Sequence, residues 1–421
     1  MSVSHPAFWF LLLIVAAHLL EMVALLLDRR QLRQPLPAAM ASWVEEESWQ
    51  KSRHYAEARQ QLALWEANSG LLVLLLFWFG GGFAWLEQWT NGWQLASWLT
   101  GMLYIGALLV GSYLSNLPFA LYATFRLEAR FGFNRTSWST WLADQVKMTL
   151  LAVLLGGPLL AALLLLLQET GAYAWLYGWA TVTAFSLLLQ WILPRWILPL
   201  FNRYEPLPEG ELRQAILDYA ARVQFPVGQI YTIDGSRRSS KANAFVTGFG
   251  QQRRIALFDT LIQQHTVAEL LAVLAHEVGH ARHHHMAKML LLGTLHTGIL
   301  FGLLAVLLPW PGLYQGFFLA EMPLHAGLVF FALVIGPIDL FAGVLFKLLS
   351  RHFEYQADRY AVESAPQPTA LISALRTLAK ENLTNLLPHP VSILLHHSHP
   401  PVGQRIAAIN RLLQPIGSCL E

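Results

Sequence analysis

The chain is 421 residues long, 55% hydrophobic and only 13% charged, too apolar for a water-soluble enzyme of this length and suited to a bilayer. Its net charge of +2 comes from basic residues spread along the chain and not gathered in a groove, which excludes nucleic acid as a partner. The only cysteine, Cys419, excludes an intrachain disulfide and a thiolate metal site, and the Cys-Leu-Glu that contains it is too short for a lipidation box.

A membrane-crossing helix needs about 20 apolar residues. Seven runs qualify: 7–27, 68–87, 97–121, 148–168, 173–199, 289–310 and 325–349. The first has no basic stretch ahead of it and no small-residue cleavage site behind it, so it is expected to stay as a helix and not to be removed as a leader. Lys and Arg accumulate on the cytoplasmic side of membranes. With the N-terminus outside, the connections 28–67, 122–147, 200–288 and 350–421, plus Arg195 and Lys347 at helix ends, hold all 28 of them. The opposite loops, 87–96, 168–173 and 309–324, hold none and carry the aromatic residues, Gly and Pro of a membrane interface. The chain thus divides into a membrane region of five spans (1–199), a polar block (200–288), two further spans (289–349) and a C-terminal polar block (350–421).

Between the first two spans, 42–68 carries Trp43, Trp49, Tyr55, Leu62 and Leu64 among charges and reads as a cytosolic helix. In the first polar block, 209–223 has helical apolar spacing and follows Pro206 and Pro208. The period then shortens: Gln229–Ile233, 244–246 and 255–258 are β-prone runs separated by Gly, Ser and basic turns, which predicts a small sheet. Thr266-x-x-Glu269 has the spacing of a capping box and opens another helix.

That helix carries His276-Glu277-Val278-Gly279-His280. Four residues is about one turn, so His276 and His280 share a face and can share a metal, with Glu277 beside them to hold a water. Two imidazoles suit zinc, and a catalytic zinc takes three protein ligands and leaves a position open. Glu277 then serves as general base on the water and returns the proton to the leaving amine. The bland alternative is a fortuitous cluster in a chain with 16 His. The capped helix, following a small sheet in a cytosolic block, is the context the metal reading requires.

For the third ligand, Glu354 stands on a helix that continues out of the last span, with Asp358 one turn further on the same face. That spacing allows Glu354 to bind the metal while Asp358 accepts a hydrogen bond from a ligand histidine. It equally allows an ordinary helix surface on which Arg351 and Arg359 pair with their neighbours.

These residues resemble the integral-membrane type I CAAX prenyl proteases, thermolysin relatives whose third zinc ligand is a Glu. The likeness runs through Pro118-Phe119, Glu128 and Gly132-Phe133-Asn134 within 117–147, then Pro199-Leu200-Phe201-Asn202, Asp234-Gly235-Ser236, Asn243-Ala244-Phe245, Gly248-Phe249-Gly250 and Leu257-Phe258-Asp259-Thr260-Leu261. Glu354-Tyr355-Gln356-Ala357-Asp358 and Ser398-His399-Pro400-Pro401 follow in the family order.

The resemblance implies a mainly α membrane protein. Seven transmembrane helices would form a barrel-like, water-filled chamber, closed by a cytosolic α+β zinc metalloprotease domain with a small β-sheet. It implies one zinc held by His276, His280 and Glu354, with Asp358 behind a ligand, and Asn243 at the head of a strand to which an extended peptide adds. His399 and Arg405 match positions in the catalytic centre; His399 is the expected oxyanion donor, and Arg405 either holds a carboxylate or is a surface charge. His285 matches a family histidine, whereas His283, His284, His396 and His397 read as solvated neighbours. Ala281 stands where the family commonly has Trp, and Lys241 where eukaryotic members often have His, which puts the substrate preference in question.

The expected reaction is endoproteolysis near the C-terminus of a peptide or protein substrate, with a lipidated tail as the family-implied feature and membrane lipids as surroundings. Compactness and the lack of an organelle-retention signal point to a bacterial inner membrane with the site facing the cytoplasm, where the substrate need not be prenylated. A quality-control membrane protease is the nearest rival, but it has fewer spans. An inactive scaffold would have lost Glu277 or a ligand. A zinc transporter would carry ionisable residues inside its spans, which here read as nearly free of them except for His18, Glu21, His296 and His325.

Overall fold

The computed structural model describes residues 5–247 and 254–414; Cys419 and the Gly248-Phe249-Gly250 run lie outside them. Among the described residues, seven helices are long and apolar enough to cross a membrane: His5–Gln31, Glu46–Phe79, Ser97–Glu128, Trp138–Glu169, Gly171–Phe201, His285–Leu307 and Leu324–Ser364, spans one to seven. Each packs on the next in chain order, and span seven closes the ring against span one. In the apolar windows of spans four, five and six only 6% of residues are buried, whereas helices around a solid core each hide a stripe at least ~100° wide. Both faces are open, as the wall of a hollow barrel requires.

Spans three, four and seven run on past the expected apolar runs, to Glu128, back to Trp138 and to Ser364, and two further elements are divided differently. The run 68–87 is not one helix. Span two stops at Phe79, Gly81 takes a left-handed φ of +75°, and Gly82–Asn91 forms a separate helix, because three successive glycines end the helix and permit that turn. The polar stretch 42–68 is not separate either, since from Glu46 it runs on into span two. The reading of nearly ion-free spans also missed Asp339, which meets His296 at 2.7 Å between spans seven and six.

One end of the ring is sealed. Spans three, four and seven converge at Gly101, where a Cβ would lie 3.0 Å from both the Cβ of His325 and Cδ1 of Leu164. Phe317 stacks between Trp78 and Phe330 with ring centroids 4.6 and 4.3 Å away, and Trp78 Nε1 donates to Gly316 O at 2.9 Å. A buried His325–Glu87 pair at 2.7 Å ties span seven to the helix after the glycines. Between spans two, three and seven lies a hollow of about 700 Å³, apolar at Phe77, Leu108 and Leu333 and edged by Ser69, Ser112 and Asn116.

The opposite end carries a four-stranded sheet of β1 (Tyr204–Pro206), β2 (Gln229–Ile233), β3 (Ala244–Thr247) and β4 (Arg254–Phe258), in the order β1-β2-β4-β3. Among the described residues only β2 and β4 run parallel, and β3 is an edge strand. The expected helix at 209–223 is Glu211–Arg222. Its Ile216 and Tyr219 join Ile255, Leu257, Leu274, Val278 and Leu371 in one buried core. Fully burying such a side chain is worth about 1.5–3 kcal/mol. This core presses the helix Val267–Arg282 between the sheet and the end of span seven.

Candidate active site

The helix Val267–Arg282 opens with the capping box. Thr266 Oγ1 accepts from Glu269 N at 3.3 Å, and Glu269 Oε2 accepts from Thr266 N at 3.0 Å. One turn apart, His276 and His280 bring their Nε2 atoms to 3.1 Å. Between them, Gly279 meets span seven. A Cβ there would stand 3.0 Å from Ala357 Cα and 3.1 Å from Ala357 O, so glycine is what lets the two backbones approach. The approach delivers Glu354, whose Oε1 lies 3.3 Å from His280 Nε2 and whose Oε2 lies 3.6 Å from His276 Nε2.

These residues fit a divalent metal. Ligand atoms about 2.0–2.1 Å from a tetrahedral zinc stand about 3.3 Å from one another, close to the three separations here. Glu354 is buried, and its Oε2 has no hydrogen-bond partner among the described residues; Arg405 Nη1 approaches only to 3.4 Å. A buried carboxylate oxygen without a hydrogen bond is costly unless cations compensate it; Arg405 is one, and the two imidazole Nε2 atoms beside the carboxylate mark the place for a metal. Among the described residues, His276, His280 and Glu354 are the one group with this geometry.

Asp358 lies one turn beyond Glu354. Its Oδ1 accepts from His276 Nδ1 at 2.9 Å, which leaves Nε2 free to face the metal position. Arg405 grips the same carboxylate with two hydrogen bonds, Nε to Oδ2 at 2.9 Å and Nη2 to Oδ1 at 2.6 Å. Burial works against the guanidinium's charge, but hydrogen bonding to Asp358 and the charges of Asp358, Glu354 and Glu277 outweigh it and raise its pKa. Arg405 is therefore no surface charge. Glu277 is half-buried on the same helix as the two histidines.

His399 sits across the cluster, two-thirds exposed, with Nε2 3.3 Å from Glu354 Oε1. Ser398 Oγ lies 2.9 Å from its Nδ1. The surface-pair reading of Arg351 does not hold: its Nη1 donates to Ile393 O at 2.9 Å and His397 O at 2.6 Å, and Lys347 Nζ donates to Leu395 O. Two cations from span seven thus cap the last carbonyls of the helix Pro390–His396 and fix the turn that leads to His399. Asp28 anchors the approach to that helix, accepting from Gln60 Nε2 and His389 N, each at 2.6 Å. In the sequence both Arg351 and Asp28 look like interfacial charges, and only their partners reveal what they hold.

Asn243 stands exposed at the head of β3. Its side-chain oxygen accepts from Ala244 N at 2.9 Å. Lys241, two residues before it, is held by Tyr55 Oη at 2.7 Å and Glu128 Oε2 at 3.1 Å, above the ring of Phe133. His284 is exposed, with a left-handed φ of +54° where one helix ends and span six begins. His283 stacks on His285, and His396 lies 3.5 Å from Glu21. His18 reaches Asn68 at 3.3 Å.

Such a ligand set, carried by a membrane-spanning scaffold, defines an integral-membrane metallopeptidase. Residues 27–203 match the family described as CAAX prenyl protease N-terminal, five membrane helices, and residues 206–413 match peptidase family M48. The chain is 32% identical over 402 residues to CAAX prenyl protease 1 homolog of Arabidopsis thaliana, covering 91% of this chain and 93% of that protein. It is 31% identical over 407 residues to CAAX prenyl protease 1 of Saccharomyces cerevisiae, covering 89% and 88%. The crystal structure of S. mikatae Ste24p matches with a TM-score of 0.89 at 29% identity, covering 96% of this chain and 99% of that one. The chain belongs to the CAAX prenyl protease 1 family within peptidase family M48. These relatives are eukaryotic, so the expected bacterial inner membrane gains no support from them; the multi-pass membrane placement stands.

Proposed function

We propose that this chain is a zinc endopeptidase that cuts near the C-terminus of lipidated protein substrates, with its site on the cytoplasmic face. The observation that carries the metal reading is the buried Glu354 carboxylate, whose Oε1 faces His280 and whose Oε2, satisfied by no hydrogen bond, faces His276 one turn away. The one-sided distribution of Lys and Arg supports the orientation. The names of the relatives support a prenylated substrate, and the hollow between spans two, three and seven has the apolar lining that a lipid tail needs.

Bound to His276, His280 and Glu354, zinc would supply Lewis acidity, polarising the scissile carbonyl and lowering the pKa of water. The chain's own groups do the rest. The open edge of β3 takes an extended peptide by main-chain hydrogen bonds, with Asn243 at its head to hold the backbone. Glu277 removes a proton from the attacking water and returns it to the leaving amine. His399, with Nδ1 accepting from Ser398, donates from Nε2 to the carbonyl oxygen as charge develops there. Asp358 fixes the ring of His276, and Arg405 fixes Asp358, so Arg405 is a positioning residue.

Cleavage of a panel of C-terminal peptides, with and without a prenyl group, by wild type and Glu277→Gln tests this. Prenyl-dependent cleavage that disappears in Glu277→Gln is expected. Equal activity in both proteins rules out the proposed base, and cleavage of unlipidated peptides alone removes the prenyl substrate.

A further inference from the structure

The two ligand histidines are braced by different chemistry. Behind His276 stands a carboxylate gripped by a guanidinium; behind His280 stands a row of uncharged donors and acceptors. We infer that His285, Gln356 and His352 form a one-directional chain of hydrogen bonds that fixes the ring of His280, a role that rests on the metallopeptidase reading above.

A proton count assigns every link. His280 Nε2 faces His276 and Glu354, so it must keep its lone pair for a cation, and the neutral ring then holds its proton on Nδ1. That Nδ1 lies 3.0 Å from Nδ1 of His285, which must accept. His285 is therefore neutral with its proton on Nε2, 2.9 Å from Gln356 Oε1. The amide Nε2 of Gln356 can only donate, and it lies 2.9 Å from His352 Nε2. Nowhere along the row do two donors or two acceptors meet.

The surroundings hold this row in place. His285 is 3% exposed, and its ring lies flat on Phe353 at 4.1 Å with 9° between planes, so it cannot swing away from His280. Gln356 sits midway between Glu354 and Asp358, and the helix that delivers the third ligand thus also aligns the second. His352 is exposed, so the chain ends in water. A neutral brace also avoids placing another carboxylate beside the metal, where it would weaken the Lewis acidity that the reaction uses.

The test is zinc affinity of metal-free, detergent-purified full-length protein, titrated with zinc against a chelating dye, with thermal melting of the metal-free forms to show folding. Removing a partner that orients a ligand histidine costs about 10–100-fold in metal affinity, and that loss is expected for His285→Phe and Gln356→Leu. Gln356→Glu, which still accepts from His285 Nε2 but can no longer donate to His352, should keep more of the parental affinity than Gln356→Leu. Parental affinity in both His285→Phe and Gln356→Leu overturns the chain of bonds. So does equal loss in Gln356→Leu and Gln356→Glu. Parental affinity in Glu354→Ala as well would instead overturn the metal centre itself.

Discussion

The Cβ that Gly279 lacks would stand 3.0 Å from the Cα of Ala357, and this contact joins the two parts of the metal site. Gly279→Val should push the ligand helix and span seven apart, at the roughly 1–3 kcal/mol typical of overpacking, and move Glu354 out of reach of the histidines. Loss of bound metal together with a lower melting temperature checks this; normal metal content in a folded Gly279→Val would remove the close approach from the account.

Breaking one side of the Asp358–Arg405 pair leaves the other charge buried, which costs about 3–5 kcal/mol. Arg405→Ala should therefore lower the melting temperature sharply. Arg405→Lys should recover only part of it, because an ammonium cannot make the two parallel bonds seen here. Melting curves of the two variants, run beside zinc titrations, separate loss of folding from loss of metal.

On the proposed mechanism, Arg351 acts on the reaction through the turn that carries His399. Removing an oxyanion donor costs about 100- to 1000-fold in kcat, so His399→Ala should show that loss with little change in KM. Arg351→Gln should lower kcat less. Combined with His399→Ala it should add nothing further, because the two act as one unit. Additive losses would separate Arg351 from His399.

Gly111 borders the hollow between spans two, three and seven, and no heavy atom lies within 4 Å of the Cβ it lacks. Gly111→Phe should fill that space without displacing a helix. The expected result is a higher KM for prenylated peptides with kcat retained; an unchanged KM would place the lipid tail elsewhere.

Much of this was legible in the sequence for local reasons. The seven apolar runs, the capping box at Thr266 and the histidines one turn apart depend on residues within a few turns of one another, where helical period decides the geometry. Glu354 was not decided in that way. Its spacing to Asp358 fitted a surface as well as a ligand; the family resemblance favoured the ligand, and it is Gly279 meeting Ala357 from a remote part of the chain that brings Glu354 to the histidines. Arg351 resembled a helix-surface charge, and for Arg405 a surface charge and a carboxylate partner stood side by side, because their partners, Ile393 O, His397 O and Asp358, are set by tertiary packing. Asp339 lay in plain sight, but a run averaged over its length hides a single acid, and its partner His296 belongs to another span. The end of span two at Phe79 was masked in the same way, since the glycines after it are apolar in a hydropathy window yet free to take the left-handed turn.

Whether Glu354 holds a metal with the two histidines is decided by the metal content of purified wild type and Glu354→Ala. One zinc per chain is expected in wild type, and its loss in the variant while the protein stays folded. Wild type without stoichiometric zinc, or a variant that holds zinc as well as wild type does, would contradict that expectation.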